Sequence, residues 1–183
     1  MILLSIMLLI GSCNKSPLYI VSVNNEIENI NSITDHKLFL SKIYNDSQAI
    51  SEKIKVLEKN FFLNKAKIKQ LEKKKDSLMP KNIYRVQQYL DFFKYPLDKS
   101  FTKKETLAIY YAIYNNKLKK VQLRFFPELE KAYQKGILDK YKYIGYLDKI
   151  YYLSTSSFYP FDKRHSIEEM IIDVSPKIWS LRD

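Results

Sequence analysis

Between residues 43 and 78 apolar side chains return every seven positions. Ile43, Ile50, Leu57, Asn64, Leu71 and Leu78 form one column, and Ile54, Phe61, Ile68 and Lys75 form a second. Such a heptad pattern places one seam along a helix and asks for a partner along its whole length. A continuous helix over 43–78 would extend ~54 Å at 1.5 Å per residue, longer than a small domain needs for its own core. Two partners satisfy the seam. In a parallel homodimer through residues 43–78, Lys53 would face Glu58 and Lys67 would face Glu72 of the second chain. Alternatively the helix folds back on helices of its own chain, an option favoured by the interruptions at Asn64 and Lys75.

The first ten residues are an apolar run of export-signal length, too short for the ~20 residues that span a bilayer as a helix. Ile10-Gly11-Ser12-Cys13 follows and resembles the bacterial lipobox: an aliphatic residue, two small residues, then the cysteine that receives the lipid. The run departs from an ordinary signal in carrying no positive charge before Lys15. The resemblance implies a signal peptide over 1–12 and a mature protein held to a membrane leaflet through acylated (palmitate-type) Cys13. The acidic run that directs surface export in some lipoproteins is replaced by Asn14-Lys15-Ser16, which favours a periplasm-facing protein of the bacterial envelope. Residues 13–34, with Pro17 and an isolated β-like run at Tyr19–Val23, read as a tether.

What remains is long enough for one domain with a core. Three glycines in 183 residues, with abundant Leu, Ile, Lys and Glu, point to an all-α fold: a long coiled-coil-like helix over 35–79 and a compact multi-helix domain over 80–183. Met79-Pro80 is expected to close the long helix. Next comes a helix over 82–93. The capping box Thr102–Glu105 opens another that runs through Tyr110, Tyr114 and Leu118 to Phe125. Pro127 starts a helix that Gly136 stops, a tyrosine-rich helix occupies 139–153, and Ser166 with Glu169 opens a short one to about Val174, with Pro176 starting a last turn.

The net charge of +11 does not favour nucleic acid, because lysine outnumbers arginine 27 to 4 and is interleaved with 20 carboxylates. Cys13 is the only cysteine, which excludes an intramolecular disulfide or a thiolate metal cluster within one chain, and His36 and His165 have no second ligand at helical spacing. No cofactor or metal is implied. From Lys81 onward the order Tyr95-Pro96, Gln122 ahead of Pro127, Gly136, then Asp148-Lys149 is similar to a large family of uncharacterised bacterial domains, many of them Bacteroidetes lipoproteins. That family carries an Asp-Arg pair where Lys149 stands, a glycine at Lys94, and a Gln-His pair with an acidic residue where Tyr114-Asn115-Asn116-Lys117 stands. The resemblance implies a fold without an established activity. Gln122, Asp148, Lys149, Asn115 and Asn116 are therefore the candidate binding residues, and no catalytic set is recognisable. Two readings follow. One is a binding or interaction module for an envelope protein, of immunity or scaffold type; the other is an envelope enzyme with a polar site around Asp148.

Overall fold

The structure, a computed structural model, describes residues 17–160, 162 and 166–179. The proposed signal, Cys13 and His165 lie outside the described residues. Every regular element among the described residues is helical. In chain order these are α1 (Leu18–Glu28), α2 (Ile33–Tyr44), one π turn (Asn45–Ala49), α3 (Ile50–Glu58), α4 (Phe61–Phe93), α5 (Lys103–Tyr114), α6 (Lys119–Arg124), α7 (Phe126–Gln134), α8 (Lys140–Thr155) and α9 (Ile167–Trp179).

The local start and stop signals act as expected. Glu105 accepts the Thr102 backbone N–H at 2.6 Å at the start of α5. Ser166 Oγ accepts the Glu169 N–H at 3.0 Å at the start of α9. Pro127 lies in the first turn of α7, and Gly136 just beyond it takes φ +72°, a conformation that costs a residue without Cβ nothing.

The heptad seam is realised within one chain, as a hairpin rather than one straight helix. The chain reverses at Lys59-Asn60, where Asn64 Nδ2 donates to the carbonyls of Leu57 (3.3 Å) and Asn60 (3.1 Å). The polar residue that interrupts the seam thus ties the bend together beside its backbone bonds, Asn60 N–H to the Leu57 carbonyl (3.1 Å) and Asn64 N–H to the Asn60 carbonyl (3.2 Å). Ile50 and Ile54 of α3 pack on Ile68 of α4, with Leu57, Leu71 and Leu78 alongside, in a small core separate from the main one. The expected long helix over 35–79 is therefore three pieces and a turn; of the seam residues Ile43, Ile50, Ile54 and Ile68 are buried within the chain, Leu57, Leu71 and Leu78 are partly buried, and Phe61 is exposed.

Pro80 does not end a helix: α4 runs through it to Phe93. Proline there removes one internal hydrogen bond. Packing of Val86, Tyr89 and Leu90 into the core outweighs that loss. The boundary expected at 79/80 thus falls inside one rigid helix. Residues 18–28, expected to be tether, form α1 and bury Val23 and Ile27 against α4. Two β-branched residues four apart make one helical face, and burial overrides their extended preference.

The helix expected to reach Phe125 stops at Tyr114. Asn116 Oδ1 accepts the Leu118 N–H at 2.8 Å, a side-chain turn that competes with the helix and starts α6 in a new direction. At the other end of the chain α9 continues past Val174 to Trp179 with Pro176 inside it. The main core is largely aliphatic, with aromatic side chains packed through it. Tyr133 stacks on Tyr143 at 4.4 Å between ring centres, Tyr110 stacks on Tyr114 at 5.4 Å, and Tyr89 and Tyr146 are fully buried.

Candidate functional site

α4 carries a second stripe besides the one it buries. Asp76, Met79, Pro80, Ile83, Tyr84, Gln87, Gln88 and Asp91 recur three or four residues apart and form one wall of a groove of about 740 Å3. The facing wall comes from α6, where Lys120, Val121 and Arg124 share a helical face, and from Asn116, Lys117 and Leu118 just ahead of it. Tyr19 of α1 closes one side, its ring 6.0 Å from that of Tyr84 in an edge contact. From Asp76 to Asp91 the wall runs about 22 Å at the helical rise. The volume lies in the ordinary range for ligand sites.

Chemically the groove has an apolar floor and two unlike rims. Met79, Pro80, Ile83, Leu118 and Val121 make the floor, and Leu118 is 54% exposed within it. Cations occupy the α6 rim, whereas Asp76 and Asp91 mark the ends of the α4 rim. Lys117 Nζ reaches across to Asp76 Oδ1 at 3.6 Å, an exposed pair that a ligand can displace at little cost.

Behind this end of the groove stand two further lysines. Lys149 of α8 donates to the Tyr114 carbonyl and lies 4.7 Å from the centre of the Tyr114 ring. Burial, then the charges of Lys75 and Lys117, bring its ammonium down to about 8. Lys75 Nζ donates to Asn115 Oδ1 at 3.4 Å and is lowered too, by burial first and then by Lys117. Lys75 and Lys149, with Lys117 near both, make a positive field that an incoming carboxylate or phosphate relieves.

The candidates from sequence separate in space. Asn116 borders the groove while its side chain builds the turn before α6. Gln122 lies fully buried beneath it: Nε2 donates to the carbonyls of Ile113 (2.6 Å) and Asn116 (2.7 Å), fixing the α5–α6 connection. Asn115 and Lys149 belong to the lysine cluster. Asp148 is turned to the loop ahead of α9, where Oδ1 accepts the Tyr159 N–H at 2.9 Å. The five do not share one cleft.

Sequence reasoning missed the α4 wall because it placed a boundary at Pro80. The three-and-four spacing from Asp76 to Asp91 was the available signal. His36, on another face, has Nδ1 3.0 Å from the Tyr89 hydroxyl and its ring edge-on to Phe93, and burial lowers its basicity. Among the described residues no group of three His, Cys, Asp or Glu side chains converges as a metal site would require, and no helix is long and apolar enough to cross a membrane. Comparison of the chain with family models, with curated proteins and with solved structures finds no match.

Proposed function

We propose that this protein is a lipid-anchored binding module of the bacterial envelope, held through Cys13 and facing the periplasm. The α4–α6 groove takes a segment of an envelope protein, an apolar peptide face with acidic residues on one edge. The observation that carries this reading is the groove itself: a long apolar floor left open between two rigid helices, with Lys117, Lys120 and Arg124 along one rim. An amphipathic segment would bury its apolar side against Ile83, Leu118 and Val121 and set its carboxylates against those cations, a standard mode of peptide recognition. Charge on the rim supplies register and discrimination, and the floor supplies affinity.

Anchoring at Cys13 gives α1 a further role, because α1 begins five residues beyond the lipid site and is clamped to α4. Lipid attachment there would fix the orientation of the body to the membrane instead of leaving it on a free tether. An enzymatic role around Asp148 has less support, since that carboxylate holds the loop ahead of α9.

The test is site-specific photocrosslinking of the full chain in cells. With the crosslinker at Gln87 in the groove, one defined protein adduct is expected, lost in K120E/R124E. With the crosslinker at Ile172, exposed on α9, that adduct is absent. The same adduct from both positions, or none from Gln87, would refute the groove as the binding site. Intact-mass measurement of the membrane fraction checks the anchor: a chain beginning at acylated Cys13 is expected, and retention of an unmodified Met1 would refute it.

A further inference from the structure

The α3–α4 hairpin ends in an exposed apolar point. At the tip Phe61 is 45%, Phe62 94% and Leu63 89% exposed, with the Phe61 and Phe62 rings edge-to-face at 6.0 Å. Natural proteins do not leave three consecutive large apolar side chains in water at the end of a projection without a use for them. The tip stands clear of the body. From Leu78, the innermost residue of the hairpin's own small core, α4 runs about 26 Å out to Phe61 at the helical rise.

Around the point lies a collar of lysines. Lys53, Lys55 and Lys59 on the α3 side and Lys65, Lys67 and Lys69 on α4 are all exposed, and between Lys53 and Lys69 the single carboxylate is Glu58. None of the six is in an ion pair within the described residues. Their spacing decides what they can meet. Lysines two residues apart on a helix point about 200° apart. Lys53 and Lys55 therefore flank buried Ile54 on opposite sides, and Lys67 lies across α4 from Lys65 and Lys69, which share a face four residues apart, so both flanks of the hairpin are positive. A protein partner docked on a helix is met by one stripe; positive charge on both flanks behind an apolar point fits a plane of negative charge met end-on.

We propose that the hairpin tip is a membrane-contact site: Phe62 and Leu63 enter the headgroup–acyl boundary of a bilayer rich in anionic lipid, and the lysine collar lies on its phosphates. Long lysine side chains keep their ammonium groups in the headgroup layer while the apolar residues sink below it. Attraction to anionic lipid brings the tip to the surface and apolar burial holds it there. The site is separate from the groove and from Cys13, and stands or falls without them.

The test uses the full chain with Cys13→Ser, so that a single introduced cysteine can carry an environment-sensitive dye. With the dye at Leu63→Cys, vesicles of phosphatidylcholine containing phosphatidylglycerol as about one lipid in three are expected to shift the emission to the blue. Brominated acyl chains are expected to quench it. Pure phosphatidylcholine is expected to give at least tenfold weaker response, as are K65E/K67E/K69E and high salt with the anionic vesicles. With the dye at Ile172→Cys no shift is expected, which separates insertion of the tip from any binding by residues 1–12. Because Phe62 is almost fully exposed, Phe62→Ser leaves the core intact and is expected to weaken the response at position 63 in a chain of unchanged helicity. An unchanged emission at position 63 with anionic vesicles, an equal shift at position 172, or an equal response to neutral lipid would overturn the proposal. So would a crosslink from position 62 to a protein in cells with no response to protein-free vesicles.

Discussion

Replacing Arg85 by methionine tests whether residues 18–28 are part of the body. Arg85 is 3% exposed and joins three elements: Nε and Nη2 donate to Glu26 of α1 at 2.9 and 3.1 Å, and Nη1 donates to Asp46 in the π turn at 2.9 Å and to Asn82 at 3.2 Å. Methionine keeps most of the side-chain volume and removes the charge. Breaking a buried pair by deleting one partner costs about 3–5 kcal/mol, because the other charge stays where it is. Here the carboxylates retain some access to water, 20% for Glu26 and 29% for Asp46, and Glu26 keeps Lys42 at 3.3 Å and Lys81 at 3.8 Å. The expected loss is accordingly about 2–3 kcal/mol, which for a domain of this size lowers Tm by about 4–12 °C. The loss depends on pH. Burial pushes the Glu26 carboxyl up, but the hydrogen bonds and charge of Arg85, with Lys42, outweigh it and leave the folded-state value below the ordinary 4.5. A lowered carboxylate adds stability above its unfolded pKa and loses it as pH falls through the folded one. The gap between wild type and Arg85→Met should be full near neutrality and should close below about pH 4.5. Urea denaturation across pH, with amide exchange of residues 18–28, measures both. An unchanged midpoint with unprotected amides over α1 would show that these residues are a tether after all.

Gln122→Leu is expected to cost about 1–3 kcal/mol in chemical denaturation, since it removes the side-chain donor to the carbonyls of Asn116 and of Ile113, which keeps only the Asn116 backbone N–H at 2.9 Å; a residue that served only a ligand would leave stability unchanged. Lys149, held at about 8 by burial and by Lys75 and Lys117, takes up its proton more readily unfolded than folded. The stability of wild type relative to Lys149→Met should therefore rise between about pH 8 and 10, at up to about 1 kcal/mol per pH unit. Parallel denaturation profiles for the two chains would refute it. Asn64→Leu completes the apolar column but removes two hydrogen bonds at the hairpin bend, and is expected to cost about 1 kcal/mol locally, read as faster amide exchange over residues 57–64. A variant that instead gains protection there would mean that the bend is not held by this side chain.

Helix ends were legible because their signals are local. Thr102 and Glu105, Ser166 with the Glu169 amide, and Pro127 with Gly136 act across a few residues of their own backbone, so each boundary can be read without knowing the neighbours. Misreadings arose where packing overruled a local preference. Pro80 breaks helices in isolation, yet the buried side chains around it in α4 hold the helix through it. Tyr19-Ile20-Val21-Ser22-Val23 prefers an extended chain, yet Val23 and Ile27 find a core and become helical. The Asn115-Asn116 turn was readable in principle, since asparagine side chains compete with the helix for backbone N–H groups, but the apolar periodicity from Tyr110 and Tyr114 on to Leu118, Val121 and Phe125 concealed it.

By itself the sequence determined that the chain is helical, where α5, α7, α8 and α9 begin, and that residues 43–78 need an apolar partner along their length. Periodicity and capping are properties of neighbouring residues, and those a linear reading contains. Tertiary structure alone decided that Ile50 and Ile54 of α3 pack on Ile68 of α4, that α1 is locked to α4 by Arg85, and that the stripe from Asp76 to Asp91 faces Lys117, Lys120 and Arg124 across a groove. Those walls are separated by some thirty residues of sequence, and only the burial of aromatic and aliphatic side chains in the core brings them together.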